Sequence, residues 1–185
     1  MTDQPSILPP RRIRNLALVG FMGTGKSTIG QLAAQILSFN FFDTDQMIEE
    51  RSGKPINAIF SEQGEAVFRS YEQQVIKELA SCDHCVISTG GGVLTNPENL
   101  SSLKSHSLLV CLWASPETIY NRVKHQTHRP LLQGADPMAK ISELLAARRP
   151  LYIQSDVLVG SDFRSPREVA AHVVHEFRAS LSRSV

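Results

Sequence analysis

The chain has 185 residues, 42% hydrophobic and 20% charged, a composition that suits one globular domain and leaves little room for two. Lys plus Arg number 19 and Asp plus Glu 18, so the net charge of +1 offers no field for counterion-release binding to nucleic acid or to an anionic membrane. At this length roughly 70% of the unfolded surface can be buried, and a core needs neither disulfides nor a structural metal.

Residues 1–14 are polar, carry Pro9, Pro10, Arg11, Arg12 and Arg14, and read as a flexible leader ahead of a single domain over 15–185. They hold no apolar signal-peptide segment, and nowhere does the chain approach 18 continuous apolar residues. With an odd count of 3 cysteines, reduced thiols and a cytoplasmic protein are expected. Asn15–Val19 (NLALV) is an apolar run ending at a glycine, and residues 27–37 repeat apolar side chains at Ile29, Leu32, Ala33, Ile36 and Leu37, giving strand, loop, helix. The alternation continues with a strand over 39–42, short helices over 46–51 and 55–63, a long helix over 65–80 and a strand over 86–88. A helix opens at Pro97, a strand runs over 108–112, and Pro116 starts another helix. The spacing then predicts a helix over 138–149 stopped by Pro150, a strand over 157–159 and a last helix from Pro166 to about Leu181. Strands separated by helices imply βαβ crossovers and a mostly parallel sheet, whose ligands sit beyond the carboxyl ends of its strands.

Residues 20–27, Gly-Phe-Met-Gly-Thr-Gly-Lys-Ser, fit the phosphate-loop pattern GxxxxGK(S/T) and lie between strand and helix. Glycines let the backbone amides of Gly23, Thr24 and Gly25 wrap phosphates at a helix N-terminus. Lys26 reaches for the terminal phosphates, Ser27 for Mg²⁺, and Thr28 offers a further hydroxyl. No NKxD guanine-reading sequence occurs, and the chain is too short for the extra lobes of motor or ring ATPases. What remains is a kinase for a small molecule.

Asp43 and Asp45 follow the strand over 39–42; two residues apart in extended chain, they would point the same way, one toward the metal and one toward an attacking hydroxyl. The competing assignment makes Asp45 an N-cap and leaves Asp43 solvated. Glu65, Phe68, Arg69 and Glu72 form one helical stripe, read either as a surface ion-pair ladder or as a guanidinium oriented for an anionic substrate. Ser88-Thr89-Gly90-Gly91-Gly92 comes directly after a strand and is either a flexible turn or a place where backbone closely approaches a ligand. Cys82-Asp83-His84-Cys85 has CxxC spacing, but zinc would need two more ligands and Cys111 falls in an apolar strand, so no metal or redox role is assigned.

Together GFMGTGKST, DTD, the segment Gly64 to Glu72, STGGG, Arg129-Pro130-Leu131-Leu132 and Arg148-Arg149-Pro150-Leu151-Tyr152 resemble shikimate kinase. The resemblance implies a three-layer α/β/α P-loop kinase with about five parallel strands, a substrate-binding helical region near 45–72 and a lid near 124–136. It implies transfer of the γ-phosphoryl of ATP to the 3-hydroxyl of shikimate with Mg²⁺ as cofactor, in a likewise implied monomer. By position, Asp45 binds the ring hydroxyls and acts as base, Asp43 holds Mg²⁺ through water, and Arg69 and Arg148 clamp the substrate carboxylate beside Gly91. Arg129 closes with the lid over the phosphates, and Arg122 and Arg164 flank the adenine. His125 and His128 read as solvated lid residues and Trp113 as packing. After Tyr152 the chain runs one residue short of the family's pattern. A gluconate kinase and a nucleotide-binding regulator without turnover are the competing readings.

Overall fold

Short strands that are apolar along their whole length are strands covered on both faces. The computed structural model describes residues 11–124 and 136–183. Its strands are β1 (Asn15–Val19), β2 (Asn40–Asp43), β3 (Cys85–Ser88), β4 (Ser107–Trp113) and β5 (Val157–Gly160), all parallel and ordered β2-β3-β1-β4-β5. The helices among the described residues are α1 (Lys26–Leu37), α2 (Thr44–Ser52), α3 (Ile56–Gln63), α4 (Glu65–Leu79), α5 (Pro97–His106), α6 (Pro116–Val123), α7 (Pro137–Tyr152) and α8 (Pro166–Arg183). None of them is long and apolar enough to cross a membrane.

The two-residue period of the strands sorts the core into two layers. Leu16, Leu18, Val86, Val110 and Val159 pack with Ile29 and Ala33 of α1 and with Val173 and Phe177 of α8. Ala17, Val19, Ile87, Leu109 and Cys111 face the other way, toward Val75 and Ile76 of α4, Leu103 of α5, Ile119 of α6 and Leu145 of α7. The chain crosses from β1 outward to β2, returns to β3 and then passes over β1 to β4; because all the strands are parallel, the loops after β1, β2 and β3 meet at one end of the sheet.

One expectation changes. Helix α7 does not stop at residue 149; it passes through Pro150 to Tyr152. Proline forfeits one amide bond, at a cost of about 3 kcal/mol in a helix interior. Here only one turn remains, Ala146 is exposed so that its carbonyl can turn to water, and the buried Tyr152 donates its hydroxyl to the Gly91 carbonyl at 2.9 Å. Two arginines of the expected leader are bonded to the body of the protein. Arg11 bonds Asp156 and the Ser107 carbonyl, and Arg14 bonds Asp83 and the Ala80 carbonyl. The remainder of the expected leader, residues 1–10, lies outside the described residues. Asp156 also accepts the Leu109 amide at 2.7 Å, so the short segment after Tyr152 is fastened to the sheet by a carboxylate.

At the far end from those loops, Asn15 and His106 form a buried polar pair. Asn15 Nδ2 donates to the Cys82 carbonyl at 2.7 Å and to His106 Nδ1 at 3.0 Å, while its Oδ1 accepts the Cys85 amide at 2.9 Å. Burial, then the charges of Arg14 and Arg11, push the His106 imidazole down to about 4, with Asp83 opposing. A folded-state value below the unfolded one means that acid protonates the unfolded chain first. The neutral ring's contribution is therefore complete above about pH 6.5 and is lost as pH falls toward 4, about 3 kcal/mol across that window. Urea unfolding at pH 7 and pH 4.5 should show a smaller acid loss for His106→Gln than for the wild type; equal losses would exclude His106 as the sensor.

Candidate active site

The loop after β1 reaches α1 through Gly25, whose φ of 97° is left-handed and which gives the helix no side-chain cap. The first amides of α1 are thus left for an anion at the positive end of the helix dipole. Lys26 Nζ lies over this loop, donating to the carbonyls of Gly20 at 2.9 Å and Phe21 at 3.0 Å. Gly23, Gly25, Lys26, Ser27 and Thr28 line a cavity of about 360 Å³ together with Asp43, Asp45, Gly91 and Arg122. An adjoining cavity of about 260 Å³ shares Gly25, Thr28 and Arg122 and adds Thr24, Arg164 and Pro166. Arg122 is not simply solvated: it donates to the Gly23 carbonyl at 3.2 Å and to the Ser161 hydroxyl and carbonyl at 3.0 and 2.7 Å, bridging the loops after β1 and β5.

Asp43 and Asp45 do reach one cavity, by a different route from the one the sequence suggests. Asp43 ends β2 and is itself the N-cap of α2, its Oδ1 accepting the amides of Asp45 at 3.1 Å and Gln46 at 3.5 Å. Asp45 sits inside the first helical turn, so the two carboxylates meet at a strand-to-helix corner and not along one extended face. The other Asp43 oxygen accepts the Ser27 hydroxyl at 2.7 Å, and Ser88 Oγ stands 3.3 Å from that hydroxyl. Asp43 and Ser88 are register partners across β2 and β3, which fixes this oxygen cluster at the strand ends. Its all-oxygen character fits a hard cation such as Mg²⁺.

The stripe on α4 is no surface ladder. Arg69 bonds Glu72 at 2.9 Å and Glu65 at 3.0 Å; the Glu65 side chain is 66% exposed, but that of Glu72 is 1% exposed. Burial holds the Glu72 carboxyl above the ordinary carboxylate value, outweighing the charges of Arg69 and Arg148, which act downward. For Arg69 burial acts downward, yet the charge of Glu72 and the bonds to both acids outweigh it and hold its pKa above the ordinary value. Arg148 comes from α7, donates to the Gly91 carbonyl at 3.2 Å and lies 5.4 Å from the Phe21 ring centroid, within cation–π range.

The three glycines after β3 do more than let a ligand come close. A Cβ at Gly90 would stand 2.7 Å from Asp45 Oδ1 and 3.2 Å from Glu72 Oε1. At Gly91 it would be 3.6 Å from Arg148 Nη1, and at Gly92 2.7 Å from Arg69 Nη2. The bare backbone is therefore the wall against which the protein's own charged side chains are set. Glu72, Phe21 and Tyr152 complete this wall; the helical spacing of Glu72 to Arg69 was visible in the sequence, whereas the roles of Phe21 and Tyr152 follow only from tertiary packing. Trp113 packs edge-on to Tyr152, with ring centroids 6.5 Å apart. Arg129, His125 and His128, and the lid expected near 124–136 except for its two end residues, lie outside the described residues.

A family model described as shikimate kinase matches residues 22–178. The shikimate kinase of Thermodesulfovibrio yellowstonii is 42% identical over 165 residues, covering 89% of this chain and 95% of the relative. Among solved structures, a shikimate kinase from Acinetobacter baumannii in complex with shikimate superposes with a TM-score of 0.87 at 34% identity, covering 92% of this chain and 96% of that one. A gluconokinase from Sinorhizobium meliloti, at a TM-score of 0.57 and 18% identity, covers 95% of this chain and 100% of its own and shares the fold alone.

The capping assignment is testable apart from catalysis. Asp43→Ala should destabilise the protein by about 1 kcal/mol, while Asp43→Asn, an equally good cap, should stay within a few tenths. Equal losses in urea unfolding would mean that Asp43 does not cap α2.

Proposed function

The chain belongs to the shikimate kinase family, and on that premise we propose how its residues divide the work. The reaction is ATP-dependent phosphorylation of shikimate: the γ-phosphoryl passes to the 3-hydroxyl, giving shikimate 3-phosphate and ADP in aromatic biosynthesis. The observation that carries the assignment of residues is the seating of Arg148 and Arg69 on the successive glycines 91 and 92, with Asp45 against Gly90.

Two planar forks match a carboxylate as lysines cannot, so Arg69 and Arg148 hold the acidic end of the substrate, with Gly91 adding a backbone contact. Asp45 orients the ring hydroxyls and accepts the proton of the attacking one. Lys26 and the amides of Gly23, Thr24 and Gly25 hold the phosphate chain, Thr28 adds its hydroxyl, and Arg122 and Arg164 flank the base. Ser27 directly and Asp43 through water would hold Mg²⁺; when bound, the ion offsets charge on the phosphate oxygens. Arg129 is assigned the charge that builds on the phosphates during transfer, as the family resemblance implies. Catalysis on this reading is positioning and electrostatics, with no covalent intermediate on the protein. The reading extends to one domain over 15–185, with an acceptor region near 45–72, acting as a cytoplasmic monomer on small molecules alone. Its near-neutral net charge of +1 supports the absence of nucleic-acid and membrane partners.

ADP release measured in parallel with shikimate, gluconate and nucleoside monophosphates should appear with shikimate; turnover of a competitor alone would overturn the reading. Arg148→Lys should raise the KM for shikimate at least tenfold and leave that for ATP within about twofold, since only the fork geometry is lost. Asp45→Asn should lower kcat by about 10² to 10⁴ while ATP affinity stays close to native. A near-native rate would remove Asp45 as the base.

A further inference from the structure

The ladder between β2 and β3 ends at Asp43 and Ser88. Past that pair one chain turns into α2 and the other into the glycine loop, so no strand partner remains for the amide of Gly90. That buried amide donates instead to the hydroxyl of Thr44, at 3.1 Å. Thr44 is fully buried, is the first residue of α2 and stands between the two site carboxylates. The rest of the loop is tied elsewhere: Thr89 donates its amide and its hydroxyl to the Leu18 carbonyl at 3.1 and 3.0 Å, and the Gly90 carbonyl accepts the Val93 amide at 3.2 Å. The Thr44 hydroxyl thus continues the strand pairing by one step, side chain to backbone, and joins the acid corner to the loop on which Arg148 and Arg69 are seated.

We propose that Thr44 is a positioning residue for phosphoryl transfer: its bond to Gly90 sets the distance between the Asp45 carboxylate and the glycine loop that seats Arg148 and Arg69. This rests on the function proposed above. Asp45 Oδ1 lies against Gly90, where an added Cβ would stand only 2.7 Å from it, so a displacement of the Gly90 backbone is met first by that carboxylate. A buried amide deprived of its acceptor must move to find another, and a shift of about 1 Å at a reacting group is enough to cost 10²-fold in rate.

Thr44→Val keeps the shape and removes the acceptor; Thr44→Ser keeps the acceptor. Steady-state kinetics of the full chain with ATP, Mg²⁺ and shikimate, run well below each variant's unfolding midpoint, should give a kcat at least tenfold lower for Thr44→Val. Its KM for ATP should stay within twofold, and Thr44→Ser should remain within about threefold of the wild type throughout. In an Asp45→Asn background, Thr44→Val should add less than twofold, because it acts through that carboxylate. A native kcat for Thr44→Val, equal impairment of Thr44→Ser, or losses that multiply with Asp45→Asn would each overturn the proposal. If Thr44→Val does not fold, Thr44→Ala takes its place in the same comparison. The wild-type measurement separates this proposal from the functional reading: absence of shikimate turnover overturns the latter, and the variants are then compared on whichever acceptor is phosphorylated.

Discussion

Leu18, Ser88 and Asp43 lie side by side across β1, β3 and β2, and this register is what the site depends on. Parallel pairing makes three strands end at one level, and each end supplies one part of the chemistry: the phosphate loop after β1, the acid corner after β2, the glycine loop after β3. Side chains far apart in sequence, such as Ser27, Asp43 and Ser88, meet because the backbone ladder brings their strands into line. A slip by one residue in any of these strands would exchange the side chains that meet the helices on its two faces and separate the oxygens.

The acceptor side follows a different logic, in which charge is buried in compensating sets. Glu72 is an acid enclosed by packing, tolerable because Arg69 bonds it and Arg148 stands near enough to act on its charge. That arrangement leaves each guanidinium oriented in advance, so little side-chain freedom would be lost on holding the carboxylate proposed for them. The cost falls at residues 90 and 92, where an added side chain would collide with the ends of Asp45 and Arg69.

Much of this was readable from the chain. The apolar runs marked the strands, the glycine-lysine-serine loop marked the phosphate site, and the order of motifs carried the family resemblance. What escaped depends on contacts between distant segments. Local rules end a helix before Pro150, but the bond from Tyr152 to Gly91 carries α7 past it. The two-residue spacing of Asp43 and Asp45 suggested one strand face, although the helix begins between them because Asp43 caps it. Helical periodicity put Arg69 beside Glu65 and Glu72 without saying which acid is solvated; that is decided by what α4 packs against, which no local pattern encodes.

The glycine wall bears on how such a site could be inhibited. A compound that rests on peptide groups at residues 90–92 touches atoms common to every amino acid, so a resistant organism cannot escape by trimming or swapping a side chain there. Adding one at residue 90 or 92 would displace the end of Asp45 or of Arg69. Along this stretch, evasion of the drug and survival of the enzyme pull against each other.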